Sequence, residues 1–138
     1  GVIEKKRGWS GNTVVSEEVP DSPGPGNIVV LIVESENVTE VFTGFGKRGV
    51  RAEAVANEPA QQYRQYLKAE VPVGQHLADQ LILPLAIAGE GRFRTLPLND
   101  HAQTQLGLVR QFLDVAVNVQ RETRDQTTVS VRAEQPSN

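Results

Sequence analysis

Ile28-Val29-Val30-Leu31-Ile32-Val33-Glu34 is the run on which the reading of the fold turns. Its apolar residues are mostly β-branched, which crowds a helical turn but suits a pleated strand. Glu36-Asn37 then turns the chain, and Val38–Thr43 follows as a second strand. So short a connection makes the pair antiparallel. Working upstream, Pro20–Gly26 carries three prolines and two glycines and is a loop. Asn12–Ser16 reads as a short strand. Gly8 ends a leading helix through Glu4-Lys5-Lys6-Arg7, a charged start without Met that reads as the middle of a longer protein.

Downstream the period changes. Arg51–Glu70 is helical, with Val55, Tyr63 and Leu67 on one stripe; Pro59 either kinks it or opens a second helix. Gly74–Ala88 is a helix whose Leu77, Leu81, Ile82, Leu85 and Ile87 leave little polar surface, so most of it should be buried, with a bend at Pro84. Gly89 and Gly91 stop it. Gly91–Thr95 is a strand, Leu96–Gln103 a loop, and Thr104–Leu113 a helix. Ala116–Arg121 and Thr127–Arg132 are closing strands around a polar turn, and Glu134–Asn138 is a frayed tail. This order, strand pairs and helices both alternating and clustered, is that of an α+β fold built from α/β-type or split βαβ units.

The totals narrow the function. The 138 residues, 38% hydrophobic, support one modest core or two small pieces. The net charge of −3 is not that of a strongly basic nucleic-acid binder, although the count covers this segment alone. With no cysteine, disulfides, thiolate zinc sites and cysteine nucleophiles are excluded. No stretch approaches the roughly 18 apolar residues of a membrane span, and no apolar leader opens the chain. The composition suits a reducing compartment, and the expected location is cytoplasmic.

Four groups of residues carry chemistry. Gly44-Phe45-Gly46-Lys47-Arg48-Gly49 fits G-x-G-x-x-G between a strand and a helix. The preceding strand is half of a hairpin, however, so an ordinary turn is favoured over a dinucleotide site. His76, Asp79 and Gln80 stand at i, i+3 and i+4, one face of a helix near its N-terminus. Such a cluster can read an adenine edge, or be only a polar first turn. His101 lies in a loop before a helix, where backbone N–H groups converge and a phosphate would fit. A neutral imidazole nitrogen is a competent nucleophile toward activated phosphorus; Asp100 beside it would hydrogen-bond nearby or cap the helix. Arg92 and Arg94 alternate with Phe93 and share one strand face, toward an RNA backbone or toward solvent.

Gly24-Pro25-Gly26-Asn27, Val33-Glu34-Ser35-Glu36-Asn37-Val38-Thr39-Glu40 and Leu77-Ala78-Asp79-Gln80-Leu81-Ile82-Leu83-Pro84-Leu85-Ala86, continued by Gly91–Leu113 with His101 and Phe112-Leu113, resemble RNA 3′-terminal phosphate cyclases in order and spacing. The resemblance implies an enzyme that uses ATP to convert RNA 3′-phosphate ends to 2′,3′-cyclic phosphates through a histidyl-AMP intermediate, in RNA processing and end repair. It implies His101 as the adenylylated nucleophile, Asp79 and Gln80 as nucleotide-pocket residues, and Mg²⁺ or Mn²⁺ to screen the triphosphate. His76 stands where relatives often place a Tyr that stacks on adenine. Leu98-Asn99-Asp100 stands for Pro-Ser-Cys, and Thr104-Gln105 for Thr-Asn.

Residues 1–70 would be most of a small inserted α/β domain, and 71–138 the C-terminal unit of the catalytic domain. The family's N-terminal glycine-rich segment is expected to come from the remainder of the same protein, and the 138 residues alone are expected to be inactive. The alternative within the family is a non-catalytic cyclase-like scaffold in ribosome assembly, whose members lack the nucleophilic histidine. Outside the family, an unrelated α+β interaction domain is the third reading.

Overall fold

The computed structural model describes residues 14–21, 23, 24 and 26–134. The leading helix and Asn12-Thr13 lie outside the described residues, as does the tail beyond Glu134; Val14–Ser16, expected to complete a short strand, are irregular and exposed. Among the described residues the chain divides into two compact units, residues 14–33 with 41–64, and residues 34–40 with 65–134. Helices and sheets are mixed, as an α+β class requires.

Strands β1 (Ile28–Glu34) and β2 (Thr39–Phe45) form a two-stranded sheet. Ser35 N–H donates to Val38 O at 3.0 Å and Gly46 N–H to Asn27 O at 2.7 Å, so near ends meet near and far meet far: the pair is antiparallel. Helix α1 (Ala52–Ala69) follows. In the first unit Phe42, Val55, Ala56 and Pro59 are buried, and the Phe42 ring lies 5.9 Å from that of Tyr63. Pro59 sits inside one continuous helix and opens no second one. At Gly44 strand and helix touch: a Cβ there would meet the Val55 carbonyl and come within 2.9 Å of Pro59 Cδ. The first glycine of the G-x-G-x-x-G match is therefore a packing contact. The apolar run of β1 alternates in burial: Ile28, Val30 and Ile32 are exposed and the residues between them half-buried.

The second unit holds helices α2 (Gln75–Ala88) and α3 (Asp100–Phe112) and a sheet of β3 (Glu90–Thr95), β4 (Val115–Arg121) and β5 (Thr127–Ala133) in the order β3-β5-β4. Both outer strands run antiparallel to β5. They are thus parallel to each other, and β3-α3-β4 is a βαβ unit split by the final strand. An isolated parallel bridge from Val73 to Thr95 adds the stub of a further strand before α2.

The alternation along the strands turns Phe93, Val129 and Val131 toward the helices, where they join Ala78, Ile82, Ala86, Ala102, Leu106 and Val109 in one cluster. Arg92, Arg94, Asn118 and Ser130 take the other face, by the period of two. The small residues Ala78, Ala86 and Ala102 let the helices approach closely. Helix α2 is less buried than its composition suggests: Leu83 and Ile87 are exposed. Gly89, in the left-handed conformation, closes it by donating to the Leu85 and Ala86 carbonyls.

Ile82 has no exposed surface. Ile82→Ala is therefore expected to destabilise the chain by about 2–5 kcal/mol, the range for a large-to-Ala change in a packed core. Urea unfolding followed by circular dichroism would read it as a lower midpoint. Among the described residues no helix is long and apolar enough to cross a membrane.

Candidate active site

Helix α3 begins earlier than the periodicity suggests. Its N-cap is Asn99, whose side chain accepts a hydrogen bond from the Ala102 N–H at 2.7 Å. Thr104, expected to open the helix, is already within it, its Oγ1 donating to the Asp100 carbonyl at 2.8 Å. His101 consequently sits on the first turn of a helix and not in the loop before it. The cap itself is Asn99, not Asp100.

This placement fixes the direction of the imidazole. Its Nδ1 lies 3.4 Å from Oδ2 of Asp79, on the second turn of α2. The His101 side chain is 77% exposed and that of Asp79 only 18%. The pair therefore joins a half-buried carboxylate to an imidazole that reaches outward. The other carboxylate oxygen, Asp79 Oδ1, is buried and has no hydrogen-bond partner among the described residues. A buried acceptor left unpaired costs about 1–3 kcal/mol.

Of the other residues singled out in the sequence, Gln80 is exposed on α2 next to Asp79. His76 is exposed on the first turn of the same helix, close enough to Glu40 to favour its ionised form electrostatically. Arg92 and Arg94 are exposed on β3, opposite Ser130 and Thr128 of β5. Among the described residues no three His, Asp or Glu side chains gather as metal ligands.

Glu40 was not singled out from the sequence. Its side chain is buried, with 3% of the residue exposed, and Oε1 accepts the N–H of Gly74, the N-cap residue of α2, at 2.5 Å. The signal was present in the alternation of β2, which puts Glu40 on the same face as Phe42 and Gly44. An inward charge at such a position calls for a partner.

Burial raises the Glu40 carboxyl above its ordinary value, against the opposing pull of the Gly74 N–H and the charge of His76. A carboxyl raised in the folded state holds its proton longer there than in the unfolded chain. Its contribution is complete below the ordinary carboxyl range and is lost as pH rises through the raised value. The melting temperature is expected to carry a component that declines across that window and is missing in Glu40→Gln. A series of thermal melts over mildly acidic pH, run on both proteins, checks it.

The RNA 3′-terminal phosphate cyclase insert-domain model matches residues 1–68. An RNA 3′-terminal phosphate cyclase of Salmonella agona is 48% identical over 108 residues, 78% of this chain and 31% of the relative. The Ralstonia nicotianae protein of that name is 45% identical over 115 residues, 83% of this chain and 33% of the relative. That of Ectopseudomonas mendocina is 39% identical over 115 residues, 83% of this chain and 34% of the relative. The chain thus spans about a third of the length of these relatives. Matches of this length cannot be confined to residues 1–68, so they extend into the unit that holds α2, α3 and the three-stranded sheet. The insert-domain match and this sustained identity establish that the chain belongs to the RNA 3′-terminal phosphate cyclase family.

Proposed function

We propose that this chain carries the nucleophile and part of the nucleotide pocket of an ATP-dependent RNA 3′-terminal phosphate cyclase. His101 is the nucleophile, Asp79 the group that orients it, and Gln80 and His76 are contacts to the nucleotide. The reading rests chiefly on one observation, the approach of Asp79 Oδ2 to His101 Nδ1 beside an otherwise exposed ring.

A carboxylate at Nδ1 favours the tautomer with the proton on that nitrogen. Nε2 then holds its lone pair free and outward. In the proposed first step Nε2 attacks the α-phosphorus of ATP. An N–P bond forms, the bond to the bridging oxygen breaks, and pyrophosphate leaves. In the second, an oxygen of the RNA 3′-phosphate displaces the imidazole from the AMP phosphorus. In the third, the neighbouring 2′-hydroxyl attacks the activated 3′-phosphorus, loses its proton and expels AMP, leaving the 2′,3′-cyclic phosphate. The covalent histidine divides one hard displacement into easier ones. Positive charge on the ring, once it is phosphorylated at Nε2 and protonated at Nδ1, is stabilised by Asp79. A divalent ion, when bound to the triphosphate, would screen its charge.

The test is made on an enzyme of the relatives' full length carrying these residues. Incubated with α-labelled ATP and Mg²⁺ or Mn²⁺, it should take up acid-labile, hydroxylamine-sensitive label, and it should convert a 3′-phosphate RNA to the cyclic end. An intact enzyme that takes up no label and closes no RNA end would overturn the reading and leave a non-catalytic scaffold in its place.

A further inference from the structure

We propose that Glu40 is a positioning residue for the nucleotide pocket: by accepting the Gly74 N–H it holds the first turn of α2, and with it His76. The inference rests on the reading of that helix as a wall of the ATP site.

Helix α2 has no side-chain cap of its own, because its N-cap residue is Gly74. The four leading N–H groups of a helix need acceptors, and one of them here is met from β2, by the Glu40 carboxylate. A negative charge at this end also suits the helix dipole. The backbone at Gly74, φ −75° and ψ 173°, is one that any residue adopts. Glycine matters there for a different reason: a Cβ would stand 2.5 Å from Glu40 Oε2, so any other residue would have to displace that carboxylate. Residues 40 and 74 therefore fit one another, a carboxylate and the gap that admits it.

The start of α2 is otherwise held by weaker ties. Val73 N–H donates to Arg94 O at 3.3 Å, Thr95 Oγ1 to Gly74 O at 3.5 Å, and Gln75 Nε2 to Pro97 O at 3.4 Å. Glu40 supplies the shortest of these bonds and the only charged one. His76 is two residues from the anchored N–H, on the same turn. Asp79 is a full turn further on, between the buried residues Ala78 and Ile82. Loss of the anchor should therefore disturb His76 more than the Asp79–His101 pair, and weaken nucleotide binding more than the chemical step. Glu40 is itself too buried to meet a nucleotide, so it acts through α2.

The experiment measures self-adenylylation of the full-length enzyme against ATP concentration. Glu40→Ala is expected to raise KM for ATP about tenfold and leave the saturated rate within about threefold, the pattern of lost binding without lost transition-state contact. Glu40→Gln, whose amide oxygen accepts the same N–H, should stay within about threefold of the parent in both. Gly74→Ala should reproduce Glu40→Ala from the other side of the contact, and the double variant should be no worse than either single one, as coupled residues behave. If Glu40→Ala does not fold, Gly74→Ala and Glu40→Gln carry the test. An unchanged KM in Gly74→Ala, a fall in saturated rate at constant KM, or Glu40→Gln as impaired as Glu40→Ala overturns the inference. A parent enzyme that takes up no label brings down the site itself. Normal labelling of the parent with unchanged KM in the variants brings down Glu40 alone.

Discussion

His101→Ala in the full-length enzyme is expected to take up no label from α-labelled ATP and to close no RNA 3′-phosphate end. Removing a nucleophile removes the covalent route itself, so the effect should be far larger than the tenfold steps that follow loss of one binding contact. The same substitution should leave the fold alone. The His101 side chain is 77% exposed and faces Asp79, and surface changes of that kind stay within about 0.5 kcal/mol. An inactive variant with the parent's melting temperature is the expected pair of results. A labelled His101→Ala would mean that another group attacks ATP, and the proposed mechanism would be lost.

Asp79→Ala is the second large effect, and its sign differs between activity and stability. Without the carboxylate the imidazole loses the group that faces Nδ1, and the charge formed on the ring in adenylylation loses its counterion. General-base and orienting groups are worth about 10²–10⁴ in rate; for a pair at 3.4 Å with an exposed ring, the lower end, about 10²-fold on the saturated rate, is expected. Stability should not fall with it. Asp79 Oδ1 is buried without a partner among the described residues, and removing such an atom relieves a desolvation cost. A residue kept only for structure would show the reverse, activity surviving until the protein melts. Rapid-quench labelling and thermal melts of one preparation separate the two.

The sequence showed the elements more fully than it showed where they begin. β1 was legible residue for residue, because a β-branched run bounded by turn signals admits one reading. α3 was not: its first turn is Asp100-His101-Ala102-Gln103, polar on most sides, so apolar periodicity starts only beyond it. The cap that extends it backward is Asn99, and Asp100 beside it was an equal candidate by residue type. The partnership of Asp79 with His101 was legible only through resemblance, since 22 positions of sequence separate two groups 3.4 Å apart. Glu40 belongs to a stretch that carries the resemblance, yet its partner Gly74 stands 34 residues away. Spacing reveals neighbours on one element; it is silent about neighbours brought together by packing.

The strand order β3-β5-β4 also bears on how the protein is made. The middle strand of that sheet is the last to be synthesised. Until Thr127–Ala133 arrives between them, β4 has no strand partner among the described residues and β3 has only the bridge from Val73 to Thr95, and Val129 and Val131, at 0% and 1% exposure, supply the floor on which both helices rest. A nascent chain stopped short of residue 127 would present two unpaired strand edges and an open apolar layer, the features that recruit chaperones and seed aggregation. A break just before residue 127 should thus be as damaging to this unit as one in its centre.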